Sequence, residues 1–177
     1  MPLKTTFQIV ESPTQILEPI TKFGGQPVWI ADPRWPLGLE TGEQMIFLGQ
    51  IYLNQELFPE SDRAIAYLFF AGESKPLYNE ATAIVIQSEE SVYTNGAPEI
   101  EFVSEATGLT LYEWDEDRQA IYKEYRVVLN PIENEDSVPL EERYAMNDLD
   151  CDTGFEFARQ ELAGNKIGGQ PLYIEDE

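Results

Sequence analysis

The chain has 177 residues, with 33 acidic against 11 basic side chains, no histidine and one cysteine, and its net charge is −22. Without histidine there can be no Ser-His-Asp or Cys-His nucleophilic system and no histidine-based zinc or haem site. A single cysteine, Cys151, excludes an intrachain disulfide and a paired-cysteine metal site.

The acid excess argues against partners that are themselves polyanionic. Binding nucleic acid through its backbone needs basic neutralising groups, and an anionic membrane surface attracts basic segments, so neither partner is expected. The first six residues lack the apolar stretch of a signal peptide, and the best apolar run, residues 65–72, is far too short to cross a bilayer. A soluble, cytoplasmic protein is the expectation. Nine Phe, nine Tyr and three Trp within an apolar fraction of 42% supply a core, so the whole chain is not expected to be disordered.

In chain order the signals are those of strands. Residues 5–11 alternate moderately. Residues 44–53 place Met45, Phe47, Ile51 and Leu53 on one face and Ile46, Leu48 and Tyr52 on the other, the pattern of a central strand covered on both sides. Residues 63–70 behave in the same way. A turn at 72–76 leads to the β-branched run 82–87, its natural antiparallel partner. After Asn95-Gly96, a turn signal, come shorter candidates at 100–104 and 109–114. Residues 120–129 read as one long strand, with Ile121, Tyr125, Val127 and Leu129 on a face that Lys123 interrupts.

One helix is expected over 153–164. Thr153 and Glu156 have capping-box spacing, Phe155, Ala158 and Leu162 follow at helical spacing, and Gly164 fits a C-cap. A second short helix is expected over 139–146. The proline-rich stretch 27–36 reads as a loop around a rim, because strand proline is confined to edges and ends. Its Trp29 and Trp35 are expected as packing anchors. The fold class is therefore mainly β: an antiparallel roll or sandwich with one or two short helices.

An internal repeat is the most informative feature. Lys22-Phe23-Gly24-Gly25-Gln26-Pro27-Val28-Trp29-Ile30-Ala31-Asp32 recurs 144 residues later as Lys166-Ile167-Gly168-Gly169-Gln170-Pro171-Leu172-Tyr173-Ile174-Glu175-Asp176, with seven of eleven positions identical. Paired glycines permit positive φ or close backbone approach, and the proline fixes an extended exit. Each copy is expected to be a stereotyped turn leading into a strand, with Val28 and Ile30, or Leu172 and Ile174, reaching the core. The spacing is too long for a solenoid period, so an internally duplicated, pseudo-symmetric architecture is expected.

The Gly24-Gly25-Gln26-Pro27 motif, Trp35-Pro36, Met45-Ile46-Phe47-Leu48-Gly49-Gln50-Ile51, Leu68-Phe69-Phe70 and the recurrence from Asn165 to Pro171 together resemble the YwqG-like family, a bacterial domain of unknown function. The resemblance covers most of residues 20–177 and implies a mainly β, duplicated fold, with no established catalytic residues to transfer. The expected organisation is one YwqG-like domain over 1–177, its first lobe about 1–164, with an incomplete second repeat at 165–177.

Candidate sites are weighed by their chemistry. Lys22-x-Gly-Gly and Lys166-x-Gly-Gly lack the Walker spacing of a phosphate loop, so Gly24, Gly25, Gln26, Pro27, Gly168, Gly169, Gln170 and Pro171 are read as a structural motif. Asp148-x-Asp150-x-Asp152 has calcium-loop character, but its glycine, Gly154, comes one residue late and Arg159 stands where a bidentate glutamate is required. No metal and no cofactor are expected. Acids are unevenly distributed: residues 89–177 hold 23 of them against six bases, while residues 1–88 hold ten against five. Glu113, Asp115, Glu116 and Asp117 form the candidate acidic binding face. The leading expectation is a non-enzymatic module that binds a basic protein, in one form an immunity-type inhibitor covering a toxin's cationic cleft. The alternative is a carboxylate enzyme or binding protein for a glycan, using Glu113 or Asp115 beside Tyr112 and Trp114.

Overall fold

Period-two apolar patterning produces the expected result. In the computed structural model, which describes residues 3–39, 41–61, 63–71, 82–88, 92–95, 100–115, 117, 119–134 and 165–169, the protein is mainly β and its paired strands run antiparallel. The strands are β1 (Leu3–Glu11), β2 (Lys22–Gly24), β3 (Trp35–Pro36), β4 (Ile46–Tyr52), β5 (Ile65–Phe70), β6 (Thr82–Gln87), β7 (Val92–Asn95), β8 (Phe102–Val103), β9 (Tyr112–Trp114), β10 (Ala120–Tyr122), β11 (Glu124–Leu129), β12 (Glu133–Asn134) and β13 (Lys166–Gly168). No helix occurs among the described residues. The two expected helices, Cys151 and the Asp148 to Asp152 run lie outside them, as do the turn at 72–76 and residues Gly96, Glu116, Gln170 and Pro171.

The chain divides into two compact units, Ile9–Val127 and Met1–Gln8 with Val128–Glu177. In the first, the sheet runs β11-β2-β4-β5-β6-β7. One face carries Phe47, Ile65, Tyr67, Phe69, Ala83 and Val85, all buried. Trp35 and Met45 are buried with them, and Trp29, Ile30, Phe102 and Val103 pack against the cluster, bringing in the small β3–β8 ladder. Burying aromatic rings of this size dominates the stability of a domain core. Trp35 is fully buried and its indole N–H donates to Met45 O at 2.7 Å, so the polar end of the ring is satisfied.

The structure corrects the expected faces of residues 44–53. A β-bulge at Leu48 shifts the register between Phe47 and Gly49, so Gln50 lies opposite Tyr67. An extra residue in one strand reverses the side-chain alternation beyond it. Gln50 therefore takes the place opposite Tyr67 that strict alternation from Phe47 assigns to Gly49, and Ile51 is turned off that face. Gly49 suits this point because a Cβ there would come within 2.5 Å of Lys22 O.

A second correction concerns the segment after the first glycine pair. The strand of the repeat runs into the first glycine, as β2, and Val28 to Ala31 form no strand. Their backbone bonds go to buried side chains instead. Val28 N donates to Gln50 Oε1 at 2.9 Å and Ala31 N to Gln87 Oε1 at 3.3 Å. Ile30 N donates to the Tyr67 hydroxyl at 3.1 Å, which in turn donates to Val28 O at 2.9 Å. Three side chains from adjacent strands thus do the work of a missing ladder, meeting the requirement that buried backbone polar groups be paired. Burial pushes the Tyr67 phenol above its ordinary pKa, against a smaller opposite effect from the Ile30 hydrogen bond. The loop so held seats Trp29, whose ring centroid lies 4.5 Å from that of Tyr67.

A third correction is that residues 120–129 are two strands. Lys123 breaks them, and its carbonyl accepts from Gly25 N at 3.1 Å. Ile121 and Leu129, expected on the apolar face, are exposed, while Val127 is buried.

The second unit pairs β1 with β12 and β13. Thr5 Oγ1 donates to Asn130 O at 2.6 Å, and Asn130 N to Thr6 O at 2.9 Å.

Candidate functional site

The two glycine pairs share a backbone geometry. Gly24 and Gly25 have φ of 66° and 60°, Gly168 and Gly169 of 78° and 72°. In the first copy β2 pairs with β11 in the register Gly24↔Glu124, Phe23↔Tyr125, Lys22↔Arg126. In the second, β13 pairs with β1 in the register Gly168↔Lys4, Ile167↔Thr5, Lys166↔Thr6. Flanking bonds correspond as well. Gly25 N donates to Lys123 O, and Gly169 N to Leu3 O. Val127 N donates to Thr21 O, and Phe7 N to Asn165 O. Residues 3–7 therefore stand to the second turn as residues 123–127 stand to the first, a relation that side-chain similarity does not reveal.

In the first copy the residue opposite Gly24 is an acid, Glu124, which pairs with Lys22; the residue opposite Gly168 is Lys4. Lys22 is fully buried and Glu124 is 9% exposed. The ammonium donates to Glu124 Oε1, to Gln26 O at 2.7 Å and to Ile16 O at 3.2 Å. Glu124 Oε2 accepts from Ile16 N at 2.9 Å. An ammonium has three donors. All three are engaged, which leaves none for a phosphate at the first copy. Gly25 is required here, since a Cβ on it would fall 2.3 Å from the Glu124 carboxylate.

Above this pair lies a cleft of about 270 Å³ lined by Gln15, Gly25, Gln26, Gly108, Thr110 and Tyr122. The Gln26 amide is locked to Gly108 in both directions: its Nε2 donates to Gly108 O at 3.0 Å and its Oε1 accepts from Gly108 N at 3.1 Å. Thr110 Oγ1 donates to Gly25 O. Tyr122 is 58% exposed, and its ring meets that of Tyr112 edge-on at 6.1 Å.

Tyr122 belongs to the β9–β10 hairpin, which also carries the candidate acids. The register Tyr122↔Tyr112 and Ile121↔Glu113 puts the two tyrosines on one face and Glu113 on the other. Glu113 pairs with Lys123 at 2.9 Å and accepts from the Tyr125 hydroxyl at 3.2 Å. The hydrogen bond from Lys123 is the largest cause holding its carboxyl below the ordinary value, with the Tyr125 hydrogen bond next. Asp115 instead closes the hairpin: Asp115 N donates to Gln119 O at 3.0 Å, and Asp115 Oδ1 accepts from Gln119 N at 2.7 Å. Asp117 is exposed at the tip. The structure thus brings Glu113, Asp115 and Asp117 onto one element but gives the first two separate jobs.

Among the described residues no three metal-binding side chains converge, and no helix is long and apolar enough to cross a membrane. Sequence reasoning missed Glu124, Gln15, Gly108, Thr110 and Tyr122. The repeated Lys22 was a usable signal for the buried pair. Glu124 offered none, because its partner lies 102 positions away. Comparison of the chain with protein-family models, with curated proteins and with solved structures returns no match.

Proposed function

We propose that this chain is a non-enzymatic binding module that takes a basic protein partner on the β9–β10 hairpin. The observation that carries the reading is Tyr122, 58% exposed on the same hairpin as Glu113, Asp115 and Asp117. An exposed tyrosine is a typical interface anchor, and acids on the same hairpin steer a cationic surface and select against an anionic one. Ile121, 42% exposed, adds apolar area to the same element. One form of this function is an immunity-type inhibitor that covers a toxin's cationic cleft, and its setting would be the cytoplasm. The alternative, a carboxylate enzyme or binding protein for a glycan, would use Glu113, which pairs with Lys123, or Asp115, which closes the hairpin.

The same reading takes the chain as YwqG-like and internally duplicated, in a roll or sandwich of which residues 165–177 begin the second repeat. The matching registers and positive-φ glycine pairs of the two turns support it.

Affinity capture from the native host, at low and high salt, tests the function. A basic protein held by the wild type at low salt, released at high salt, and not held by a Tyr122→Ala/Asp117→Asn variant is the expected result. Capture that survives high salt, or that the variant retains in full, would overturn it.

A further inference from the structure

The cleft beside the first glycine turn is built from polar groups that are already paired within the protein. Gly25 N donates to Lys123 O and Gly108 N to Gln26 Oε1. Gln26 Nε2 donates to Gly108 O, and the Thr110 hydroxyl to Gly25 O. The Lys22 ammonium under the turn is buried with its three donors engaged. No charged residue lines the cleft, and its exposed lining is mainly apolar. Such a recess gives a charged group nothing in exchange for its water, whereas an apolar group can be buried there without stranding a polar one. Its setting is anionic instead. Residues 112–122, the hairpin that supplies Tyr122, carry four acids against one base, and residues 76–117 carry ten acids and no base. An uncharged apolar recess beside an acidic hairpin is complementary to a segment that places an apolar side chain between basic ones.

We infer that the cleft lined by Gln15, Gly25, Gln26, Gly108, Thr110 and Tyr122 seats one aliphatic side chain of leucine size, carried between basic residues in the partner's segment. The inference rests on the hairpin reading and deepens it: the acids of the hairpin steer and select the segment, and the cleft holds it. Interfaces divide the work in this way, with affinity concentrated in an anchor that fills a recess and charges at the rim setting association rate and salt dependence. The volume of about 270 Å³ accommodates one such side chain. Tyr122, 58% exposed, has ring surface left to cover, so its contact with the anchor removes apolar area from water on both partners.

The test uses the full chain and capped tripeptides Lys-X-Lys in which X is leucine, serine or lysine, monitored by amide NMR at low salt. The leucine peptide is expected to shift the resonances of Gly25, Gly108, Thr110 and Tyr122, and to bind about tenfold more tightly than the serine peptide. The all-lysine peptide, despite its extra charge, is expected to move Asp115 and Asp117 and to leave those four in place. Tyr122→Ala should weaken the leucine peptide by about fivefold, and Tyr122→Phe, which keeps the ring, should leave most of the affinity. The peptide series on the wild-type chain tests the inference without any variant. Equal binding of the leucine and serine peptides, with shifts at Asp115 and Asp117 and none in the cleft, would overturn the apolar seat and leave the hairpin reading standing. No shift of either set would overturn both.

Discussion

Lys22 and Glu124 form a buried ion pair across 102 positions of sequence, and the carboxylate's second oxygen ties in the backbone of Ile16. This pair underlies the first glycine turn, holds the carbonyl of Gln26 and so helps to set the floor of the cleft. Removing one member leaves an uncompensated buried charge, at a cost of about 3–5 kcal/mol. Lys22→Met and Glu124→Leu should each lower stability to urea by that amount. The double variant should cost less than either single change. Equal and additive losses would show that the two side chains do not act as a pair.

Glycines with positive φ offer a graded comparison. Gly42 has φ of 65° and nothing within 4 Å of an added Cβ, whereas at Gly24 the Cβ would lie 2.1 Å from Lys123 O. Gly42→Ala should cost only the left-handed backbone penalty, about 1 kcal/mol. Gly24→Ala adds a clash with rigid backbone and should cost about 3 kcal/mol or more. Denaturation midpoints of the two variants measure the difference.

Tyr67→Phe tests the side-chain support of the 28–31 loop. The ring stays, but Ile30 N loses its acceptor and Val28 O its donor. An unsatisfied buried group costs about 1–3 kcal/mol. Loss of stability in that range should be accompanied by a change in tryptophan fluorescence, because Trp29 stacks against this residue.

Glu113 should titrate below the ordinary carboxylate range, since Lys123 and Tyr125 hydrogen-bond its ionised form. By linkage, a folded pKa below the unfolded one contributes stability above the ordinary value, and that contribution is lost as pH falls through the lowered value. Side-chain NMR titration should show the midpoint moving upward in Lys123→Met. A midpoint that stays in place would mean that the ion pair is not populated in solution.

How far the fold was legible depends on whether the information is local. The strands β4, β5 and β6 announce themselves because alternating large residues have no other stable arrangement, and Trp35 proves to be the core anchor its size suggests. The bulge at Leu48 is not announced: the reversal of faces depends on Gly49 meeting β2 from another part of the chain. Val28 and Ile30 look like alternating strand residues, yet the hydrogen bonds of their loop go to Gln50, Tyr67 and Gln87, whose roles emerge only in the assembled sheet. At the site, alternation within the strand 112–114 places Glu113 on the face opposite Tyr112. It could not show that Lys123 neutralises this acid, nor that Tyr122 would lie beside the glycine turn.

The central claim is that a cationic partner engages the hairpin, and hydrogen–deuterium exchange of the full chain with an arginine-rich protein such as protamine tests it most directly. The account predicts protection confined to residues 112–122, lost at high salt. Protection spread over acidic segments elsewhere, or none at the hairpin, would contradict it.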